Sequence, residues 1–390
     1  MMQKFVFLVA AMLFALPTVM AEQSAKPYAP LNSERYDYAS DFSEGLAAVN
    51  VNHQWGFIDA SGKMVIAPQF NPYQTQFNSY FSEGLVAINL TVAKKPVEGN
   101  DPSGVRWGFA DKSGKIVIKP QFEGNYYAPP HFANGLAAIS GNFIGTTVAT
   151  FGLNTKFGYI DKTGKFVIPQ KFDEAYDFSD ELASVRVGNK YGFIDKTGRM
   201  VIAPTFDAPG FFKDGIAIVE INNLSYIIDK ANHKVLNQGF EGLSAFSEGL
   251  ARFVTKGNIG FMDKSGKIKI QPKFSLGSPQ SVRLMYFSEG LCPFETLTSD
   301  THGRMSKRVG YIDKNGKTSI EAQFDYAGPF KNGIAVVSLN GNYGYINKTG
   351  QFVIQPVFAN AGYFSDGVAR VSGGAGFGDY KYRFIQRQLK

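Results

Sequence analysis

A short pattern that repeats along the chain constrains the fold more than any other feature of the sequence. It consists of an aromatic residue, a glycine, a second aromatic residue and an aliphatic residue, usually followed by Asp-Lys-x-Gly. Its copies begin at residues 55, 107, 157, 191, 225, 259, 309 and 343. Most steps between copies are 34 residues, and the longer steps of 50 and 52 residues contain insertions. A fixed period of this length indicates a tandem array in which each unit stacks on its neighbours.

A second pattern accompanies the first and appears nine times. A phenylalanine is followed by two mostly small or polar residues, a glycine, an aliphatic residue and usually an alanine. The copies begin at Phe42, Phe81, Phe132, Phe178, Phe212, Phe246, Phe287, Phe330 and Phe364. Nine copies predict nine units. The last unit is incomplete, because Val368 to Val371 and Tyr380 to Ile385 supply two strands and no third.

The fourth unit illustrates how one copy is expected to fold. Three segments rich in β-branched and aromatic residues predict strands A, B and C, at Leu182 to Val185, Tyr191 to Ile194 and Met200 to Ile202. Asp195 to Gly198 predicts the hairpin turn between strands B and C. Its aspartate can accept bonds from the backbone N–H groups that follow, and its glycine can adopt the left-handed conformation. Pro204 is expected to end the pairing, since it has no N–H group to donate.

Glycine has a distinct expected role inside strand B. Gly192 stands between two aromatic residues, where it leaves room for a neighbouring aromatic ring to lie over the backbone. The fifth unit departs from the pattern, because Tyr226 replaces this glycine and Asn232 replaces the glycine of the turn. Asparagine is the next most tolerant residue in the left-handed conformation. The change at Asn232 therefore indicates that the turn demands that conformation.

These observations predict the fold class. A single unit of 34 residues buries too little surface to fold alone, so units must share a core with their neighbours. We expect one all-β domain over residues 36–390, built from about nine three-stranded antiparallel meanders in an open, curved, solenoid-like stack. A closed propeller-like ring is the alternative. Propeller blades usually have four strands, and the spacing of these units is uneven, which favours the open stack.

The repeated string resembles the WG-repeat family, which is also called the KWG-repeat family. An aromatic residue, Gly, an aromatic residue and Ile-Asp-Lys-x-Gly-Lys-x-Val-Ile-x-Pro-x-Phe recur from about Tyr36 to about Phe377. The resemblance implies a bacterial β-repeat protein of a kind often exported or associated with the envelope, with repeats that act as interaction modules. It implies no activity and no shared catalytic residues. Tryptophan occupies the naming position only at Trp55 and Trp107, which indicates that packing requires an aromatic ring rather than tryptophan itself.

The beginning of the chain predicts export. Lys4 precedes an apolar run from Phe5 to Leu16, and small residues lead to Ala21, where we expect a signal peptide of residues 1–21 to be cleaved. Residues 22–35 are expected to be a linker. No later stretch is long and apolar enough to span a bilayer, so we expect no transmembrane segment in the mature chain. The expected location is the periplasm or the extracellular space.

No part of the sequence predicts catalysis, a metal site or a cofactor. The four histidines are scattered without ligand spacing, and neither a nucleophile elbow nor a phosphate loop is present. Carboxylates such as Glu44 and Glu248 recur at a fixed register, which indicates turn residues rather than a catalytic pair. Cys292 is the only cysteine and is expected to be a small buried strand residue. The net charge of +7 comes largely from lysines in turns, so nucleic acid is not an expected partner.

The irregular connections between strands A and B are the best candidates for function. Five of these connections have five residues, whereas residues 89–106, 140–156 and 295–308 are much longer. Equivalent loops of a repeat array emerge on the same edge, and long loops on a rigid scaffold commonly bind ligands. The candidate binding residues are Lys94, Lys95, Arg106, Phe143, Ile144, Phe151, His302, Arg304, Lys307 and Arg308. Drift in loops that tolerate insertion is the alternative, as is a second-layer strand pair within 140–156.

The sequence therefore predicts an exported, non-catalytic binding protein or scaffold. Its expected partner is another protein or a component of the cell envelope, bound by the repeat surface and the three long loops. A glycan or peptidoglycan binder is one alternative. An immunity protein that blocks a periplasmic toxin is another.

Overall fold

A computed structural model of the chain describes residues 28–70, 79–89, 106–123, 129–140, 156–276, 279–299, 303, 305–373 and 381–387. The predicted signal peptide lies outside these residues. The described chain forms nine antiparallel sheets and one short helix, α1 (Pro279–Leu284), which precedes the seventh sheet.

The sheets follow one another along the chain, and within each sheet consecutive strands pair. The N-terminal strand is β1 (Tyr28–Pro30). Sheets 1 to 3 consist of β2 (Leu46–Val51), β3 (Gln54–Asp59) and β4 (Met64–Phe70); β5 (Leu85–Asn89), β6 (Arg106–Asp111) and β7 (Ile116–Glu123); and β8 (Ala137–Ser140), β9 (Phe157–Ile160) and β10 (Phe166–Phe172).

Sheets 4 to 6 consist of β11 (Glu174–Ser179), β12 (Leu182–Val187), β13 (Lys190–Ile194) and β14 (Met200–Phe206); β15 (Phe212–Lys213), β16 (Ile216–Ile221) and β17 (Leu224–Asp229); and β18 (Gly242–Leu243), β19 (Leu250–Thr255), β20 (Asn258–Asp263) and β21 (Ile268–Ser275). Sheets 7 to 9 consist of β22 (Leu291–Ser299), β23 (Met305–Asp313) and β24 (Thr318–Phe324); β25 (Tyr326–Ala327), β26 (Ile334–Leu339), β27 (Asn342–Asn347) and β28 (Phe352–Phe358); and β29 (Asn360–Ala361), β30 (Val368–Ser372) and β31 (Tyr382–Arg387).

The predicted tandem array of antiparallel meanders is confirmed. In sheet 4, strands A, B and C are β12, β13 and β14, and all three contain the predicted segments. Strand C continues past Pro204, and Phe206 pairs with Tyr191, so the expectation that Pro204 ends the pairing is corrected: the strand bulges at the proline and resumes its pairing beyond it. Several sheets also have a short strand before strand A, which we call the leading strand; in sheet 4 it is β11. The leading strand brings sheets 4, 6, 8 and 9 to four strands, the usual number in a propeller blade.

The turn between strands B and C has the predicted chemistry. Asp195 Oδ1 accepts hydrogen bonds from the backbone N–H groups of Thr197 at 3.0 Å and Arg199 at 3.1 Å. Gly198 has a φ of +80°, and Asn232 has a φ of +64° in the equivalent place. The turn therefore requires a left-handed residue, as the exchange of glycine for asparagine indicated.

The glycine of strand B has a role different from the predicted one. A Cβ atom on Gly192 would lie 2.5 Å from the Ile202 carbonyl oxygen and 2.8 Å from the Pro204 nitrogen. Strand C bulges towards strand B at this point, which shifts the register of their pairing. Backbone from strand C, rather than an aromatic ring, occupies the space beside this glycine. In sheet 5, where Tyr226 replaces it, β16 and β17 pair but no named strand C follows among the described residues.

The two ends of the described chain meet in sheet 9. Strand β1 pairs with β31 in the order Tyr28 to Arg387, Ala29 to Gln386 and Pro30 to Ile385. Residues 28–30, which the sequence assigned to the linker 22–35, thus supply the strand C that the last unit lacks. An unfilled sheet edge exposes unpaired N–H and C=O groups, and this pairing satisfies them.

Contacts next to β1 repeat those between other neighbouring sheets. In sheet 2 a Cβ atom on the turn glycine Gly114 would meet Ile66 of sheet 1 at 2.8 Å. In sheet 1 a Cβ atom on Gly62 would meet the Leu31 side chain at 3.2 Å. Leu31 therefore takes the place of the strand C isoleucine at the junction of sheets 9 and 1.

Shared hydrophobic clusters also close the array. Each of nine buried clusters joins two consecutive sheets. One of them packs Tyr36, Phe42 and Val49 of the first unit against Val368 and Phe384 of the last. An open stack of nine sheets has one interface fewer. Of the two arrangements that the sequence left open, the structure therefore has the closed propeller-like ring, and the expected open stack is corrected.

Replacing the strand B glycine by alanine tests the need for close approach. We expect Gly192→Ala to lower the free energy of unfolding by about 2 kcal/mol, because the new methyl group overlaps backbone that cannot move independently. Val201→Ala in the adjacent strand is the matched control, since that side chain is 40% exposed, and it should change stability by about 0.5 kcal/mol or less. Urea unfolding followed by circular dichroism measures both. Equal stability of the two variants would contradict the role given to Gly192.

Truncation tests closure of the ring. A chain that starts at Asn32 lacks β1 and Leu31, and we expect it to lose roughly 3 kcal/mol of unfolding free energy and to be cleaved faster by trypsin. A chain that starts at Pro27 keeps β1 and is the control, with stability equal to that of the chain starting at Glu22. The same melting temperature for all three chains would show that β1 does not hold the ring closed.

Candidate functional site

The antiparallel pairing gives the ring two different faces. We call the residues just before strand A the leading segment, whether or not they form a leading strand. The turn between the leading segment and strand A lies on the same face as the turn between strands B and C, which we call the turn face. The connections between strands A and B emerge on the opposite face, which we call the loop face. The three predicted long connections, in sheets 2, 3 and 7, are all of this second kind. Sheets 2 and 3 are neighbours, whereas sheet 7 lies across the ring from them.

Polar residues of the second sequence motif link neighbouring sheets on the turn face. Ser43 Oγ of sheet 1 donates to the Phe81 carbonyl oxygen of sheet 2 at 2.8 Å. The Glu44 carboxylate accepts from the backbone N–H groups of Glu83 at 2.7 Å and Gly84 at 3.0 Å, and Lys112 Nζ lies 3.1 Å from it. Equivalent inter-sheet ion pairs are Lys162–Glu83, Lys264–Asp214, Lys314–Glu248 and Lys348–Glu289. The recurrent carboxylates and many of the turn lysines are thus structural.

Protonation states fit this structural role. Burial by itself would raise the pKa of Glu44, but hydrogen bonds from Lys112 and from the backbone of Gly84 and Glu83 outweigh it and hold the pKa below its ordinary value. The pKa of Glu248 is lowered in the same way. Cys292 is fully buried, as predicted, and burial raises the pKa of its thiol.

Most of the predicted binding residues lie outside the described part of the chain. These are Lys94, Lys95, Phe143, Ile144, Phe151, His302 and Arg304. Arg106 begins strand β6 and stands opposite Glu123 in the register of sheet 2. Lys307 and Arg308 lie together in strand β23 of sheet 7.

The connection 295–308 is an extension of a hairpin rather than a simple loop. Strands β22 and β23 stay paired as far as Ser299 and Met305, so the hairpin reaches beyond the ends of the other A–B hairpins. Leu297 stands opposite Lys307 in this register, and opposite residues of an antiparallel pair project to the same side. Leu297 is 60% exposed and Met305 is 57% exposed, which makes this side an apolar surface.

Arg308 occupies a position that repeats around the ring. It forms an ion pair with Asp325 of sheet 8. Lys156 pairs in the same manner with Asp173, and further equivalents are Lys190–Asp207 and Lys381–Asp37. A basic residue before strand B thus ties each of these sheets to the start of the next leading segment. This repetition indicates a structural role for Arg308.

A groove opens on the loop face between sheets 7 and 8. It has a volume of about 350 Å³, which is at the lower end of the range for small-molecule sites. Its walls come from α1, from the ends of strands A and B of both sheets, and from the leading strand β25. The lining residues are Leu284, Pro293, Phe294, Glu295, Lys307, Val309, Asp325, Tyr326, Ala327, Ser338 and Tyr343.

The groove combines a shielded charge with aromatic walls. The Glu295 side chain is 10% exposed, and its Oε1 atom lies 3.2 Å from the Nζ atom of Lys307, whose side chain is 59% exposed. The rings of Tyr326 and Tyr343 are 5.9 Å apart at an angle of 56°, so they form two walls of a corner. Burial raises the pKa of Tyr326, whose hydroxyl is 2.9 Å from that of Tyr363.

Of the predicted residues, only Lys307 lines this groove. The sequence analysis missed Glu295, Tyr326 and Tyr343, although Glu295 begins the predicted loop 295–308. The tyrosines belong to the next unit and look like ordinary strand aromatics in the sequence. Only the extra length of the A–B connection marked this region.

A second polar cluster crosses sheets 2, 3 and 4. Nε2 of His131 lies 2.6 Å from Oδ2 of Asp177, and the Tyr80 ring is centred 5.2 Å from the imidazole. The hydrogen bond that the His131 imidazole donates to the Asp177 carboxylate raises the pKa of His131, although burial opposes the rise, and a bond with the Pro129 backbone adds to it. In the sequence, His131 is only one of four scattered histidines. Its partner is 46 residues away in the sequence (177 − 131) and is brought near by the ring.

The described ranges lack two further kinds of feature. No group of three or more His, Cys, Asp or Glu side chains there is arranged to hold a metal ion. No helix within those ranges is both long and apolar enough to cross a membrane.

The pairing of His131 with Asp177 predicts a pH-dependent contribution to stability. Because the folded-state pKa is raised, the contribution is fully present below the ordinary histidine pKa of about 6.5 and is lost as the pH rises through the folded-state pKa. Both side chains are about one-third exposed (31% and 36%), so we expect a solvent-screened effect on the order of 0.5 kcal/mol. His131→Gln should lose this stability at pH 6 and match the native chain near pH 9. Urea unfolding at both pH values measures it. His233→Gln is the control, because that side chain is 78% exposed, and a parallel response of the two variants would contradict the prediction.

A known protein family matches the chain over the same repeats. A family described as "WG containing repeat" matches the chain at residues 35–52, 55–90, 107–140, 157–191, 191–224, 259–296, 310–343 and 343–372. Together these segments cover more than half of the chain. No curated protein matches it.

The structure aligns with several solved structures. A eukaryotic initiation factor aligns over 87% of this chain and 90% of its own, with a TM-score of 0.55 and 12% sequence identity. AztD from Citrobacter koseri aligns over 72% of this chain and 84% of its own, with a TM-score of 0.37 and 12% identity. A prolyl endopeptidase aligns over 72% of this chain and 46% of its own, with a TM-score of 0.35 and 12% identity. At 12% identity, the match to the initiation factor shows similarity of fold alone, and this similarity extends over nearly the whole of both chains.

Proposed function

The chain belongs to the family of proteins built from WG-containing repeats, and from this premise we propose that it is an exported, non-catalytic binding protein whose loop face recognises another protein. The partner is a protein of the cell envelope or one that enters it. The ring acts as a rigid scaffold, and the irregular connections of sheets 2, 3 and 7 provide the specificity.

One observation carries this proposal. The groove and the extended hairpin of sheet 7 lie together on the loop face, and the repeat pattern accounts for neither of them. On the turn face, in contrast, the recurrent charges bind neighbouring sheets to each other. Exposed Leu297 and Met305 give the hairpin an apolar surface of the kind that contacts partners.

Export forms part of the proposal. The expected signal peptide would leave a mature chain starting at Glu22, with β1 beginning six residues later (28 − 22). Release by the signal peptidase would therefore leave the strand that closes the ring intact. We propose the periplasm or the extracellular space as the location. Detection of the native protein only in the cytoplasmic fraction would contradict this.

Glycan binding is the second candidate. Tyr326 and Tyr343 form an aromatic corner beside the Glu295 carboxylate, and aromatic faces with nearby polar groups suit sugar rings as well as peptides. Retention of purified peptidoglycan fragments by the native chain would favour it over a protein ligand.

Affinity capture tests the proposed binding face. The bait is the mature chain, compared with a variant in which residues 297–307 are replaced by an Asn-Gly turn, a loop that suits a two-residue hairpin. We expect the native bait to retain a protein from the producing cell's envelope fraction and the shortened bait to lose it by at least about tenfold, because the contact surface is gone. Quantitative mass spectrometry measures retention, and a toxin among the retained proteins would identify an immunity protein.

The matched control carries changes on the other face. Lys267→Ala with Lys317→Ala removes two exposed lysines of the turn face and should leave capture unchanged. Capture that survives replacement of the hairpin, or that depends on the turn-face lysines, would contradict the assignment of the loop face. Unfolding curves for each bait confirm that the ring remains folded.

A further inference from the structure

A pair of aromatic rings recurs where neighbouring sheets meet. The phenylalanine that begins the second sequence motif, which we call the motif phenylalanine, packs against the second aromatic residue of strand B in the preceding sheet. Phe212 and Phe193, for example, have ring centroids 4.8 Å apart at an angle of 68°. Seven further pairs have centroids 4.8–5.3 Å apart: Phe81–Phe57, Phe132–Phe109, Phe178–Tyr159, Phe287–Phe261, Phe330–Tyr311, Phe364–Tyr345 and Phe42–Phe384.

The junction of sheets 5 and 6 is the exception. Its motif phenylalanine, Phe246, contacts no aromatic ring within the described part of the chain, because Ile227 stands at the position of the missing ring in strand B of sheet 5. Phe246 is also only partly buried, whereas the other eight motif phenylalanines are all buried. One side of this ring is therefore left without the cover that its equivalents have.

A second recurrent contact is missing at the same junction. In sheets 1, 2, 4, 6 and 7, the serine after the motif phenylalanine donates a hydrogen bond to the carbonyl oxygen of the next motif phenylalanine. Ser247 of sheet 6, for example, donates to the Phe287 carbonyl oxygen at 2.6 Å. Sheet 5 has Lys213 in place of this serine. The ion pair of Lys264 with Asp214, at 3.2 Å, still links sheets 5 and 6 on the turn face.

The residue before the motif phenylalanine is unusually small in sheet 6. This position holds Asp41, Tyr80, His131, Asp177, Phe211, Ala245, Tyr286, Pro329 and Tyr363, of which alanine is the smallest. At the junction of sheets 8 and 9, the Tyr363 ring covers Gly328, since a Cβ atom on this glycine would lie 2.8 Å from Cε1 of the ring. Gly210 is the equivalent glycine of sheet 5, and the three atoms nearest to a Cβ atom there belong to sheets 4 and 5. Ala245 thus provides no ring of this kind.

A pocket of about 240 Å³ lies at this junction. Its walls include Gly210 and Phe211 of sheet 5 and Ala245 and Phe246 of sheet 6. Lys213 also lines it and places it on the turn face. Phe211 is 50% exposed, so two phenylalanine rings of the wall have surface that the protein does not cover.

The size and chemistry of the pocket suit one aromatic side chain. An apolar cavity of about 150 Å³ can hold a benzene ring. The pocket is smaller than the sites of about 300–1,000 Å³ that are typical for small molecules, whereas a single anchoring side chain of a protein interface fits it. A ring that enters beside Phe246 would supply an edge-to-face contact like those of the other junctions. No charged ligand is required, because Asp214 is already paired with Lys264.

We propose that the pocket between sheets 5 and 6 is a docking site for an aromatic side chain, a phenylalanine or tyrosine, of a partner protein. The occupant takes the place of the ring that these two sheets do not supply themselves. This site lies on the turn face, so it goes beyond the loop face of the proposed function and does not depend on it.

Binding of small probes to the mature chain tests the pocket without the partner. The probes are Nα-acetyl-phenylalanine amide and its aliphatic counterpart Nα-acetyl-leucine amide, titrated and followed by saturation-transfer NMR. We expect the phenylalanine probe to bind at least about threefold more tightly, because the ring pair adds to the burial of apolar surface. Ala245→Tyr should abolish its binding and raise the melting temperature, since a ring of the chain itself then fills the pocket. Ala245→Ser leaves the space open and is the matched control, with binding equal to that of the native chain.

A second pair of variants tests the wall of the pocket. Phe211→Ser removes an exposed ring from the wall and should weaken binding of the phenylalanine probe several-fold. Tyr80→Ser removes a ring that is 45% exposed at the equivalent position of sheet 2, away from the pocket, and should have no effect. Melting temperatures show that each variant is folded, and this pair still decides the question if Ala245→Tyr does not fold.

Four outcomes would overturn the proposal. They are equal affinity for the two probes, undiminished binding by a folded Ala245→Tyr chain, equal effects of Phe211→Ser and Tyr80→Ser, and much tighter binding of p-cresol than of the phenylalanine probe, as a site for a free aromatic compound would give. The proposed function fails separately. A chain with residues 297–307 replaced should bind the phenylalanine probe as the native chain does, whatever happens to protein capture by the loop face.

Discussion

Packing between neighbouring sheets is the interaction on which this structure depends, because no sheet has a core of its own. Every buried cluster takes its residues from two consecutive sheets, so a sheet with a missing neighbour would expose apolar surface to water. Strand β1 resolves this at the ends of the chain, where Leu31 and Tyr36 bring the first unit onto the last. A contact of a few residues can therefore matter to the whole ring.

Because each sheet depends on its neighbours, many charged residues of the repeats form contacts between sheets. On the turn face, Glu44 binds the backbone of the next sheet and a lysine from it, and the same arrangement recurs in several other sheets. On the loop face, basic residues before strand B pair with an aspartate of the next sheet. Many charged repeat positions are in this way occupied by contacts within the ring. Recognition is left to the parts of the ring where the pattern is interrupted.

Local features of the fold could be predicted from the sequence because they depend on neighbouring residues. The left-handed turn at Gly198 and Asn232 depends on backbone conformation, and the strand assignments depend on residue type and spacing. Features that depend on contacts between distant residues could not be predicted in this way. Nothing in the composition of residues 28–30 marks them as the strand that completes sheet 9, and nothing near His131 points to Asp177. The groove depends on contacts of this distant kind, because Tyr326 and Glu295 line it together only when two units pack against each other.

One proline in the wall of the groove departs from the repeat pattern. In sheet 1 the backbone N–H of Ala48 donates to Ser40 of the leading segment, and Arg252 donates to Ser244 in sheet 6. The equivalent residue of sheet 7 is Pro293, which has no N–H group to donate. Like sheets 1, 2 and 3, sheet 7 has no named leading strand among the described residues, and α1 stands before its strand A. Leu284 at the end of α1 and Pro293 in strand A both line the groove, so part of its wall comes from residues that the repeat pattern does not specify.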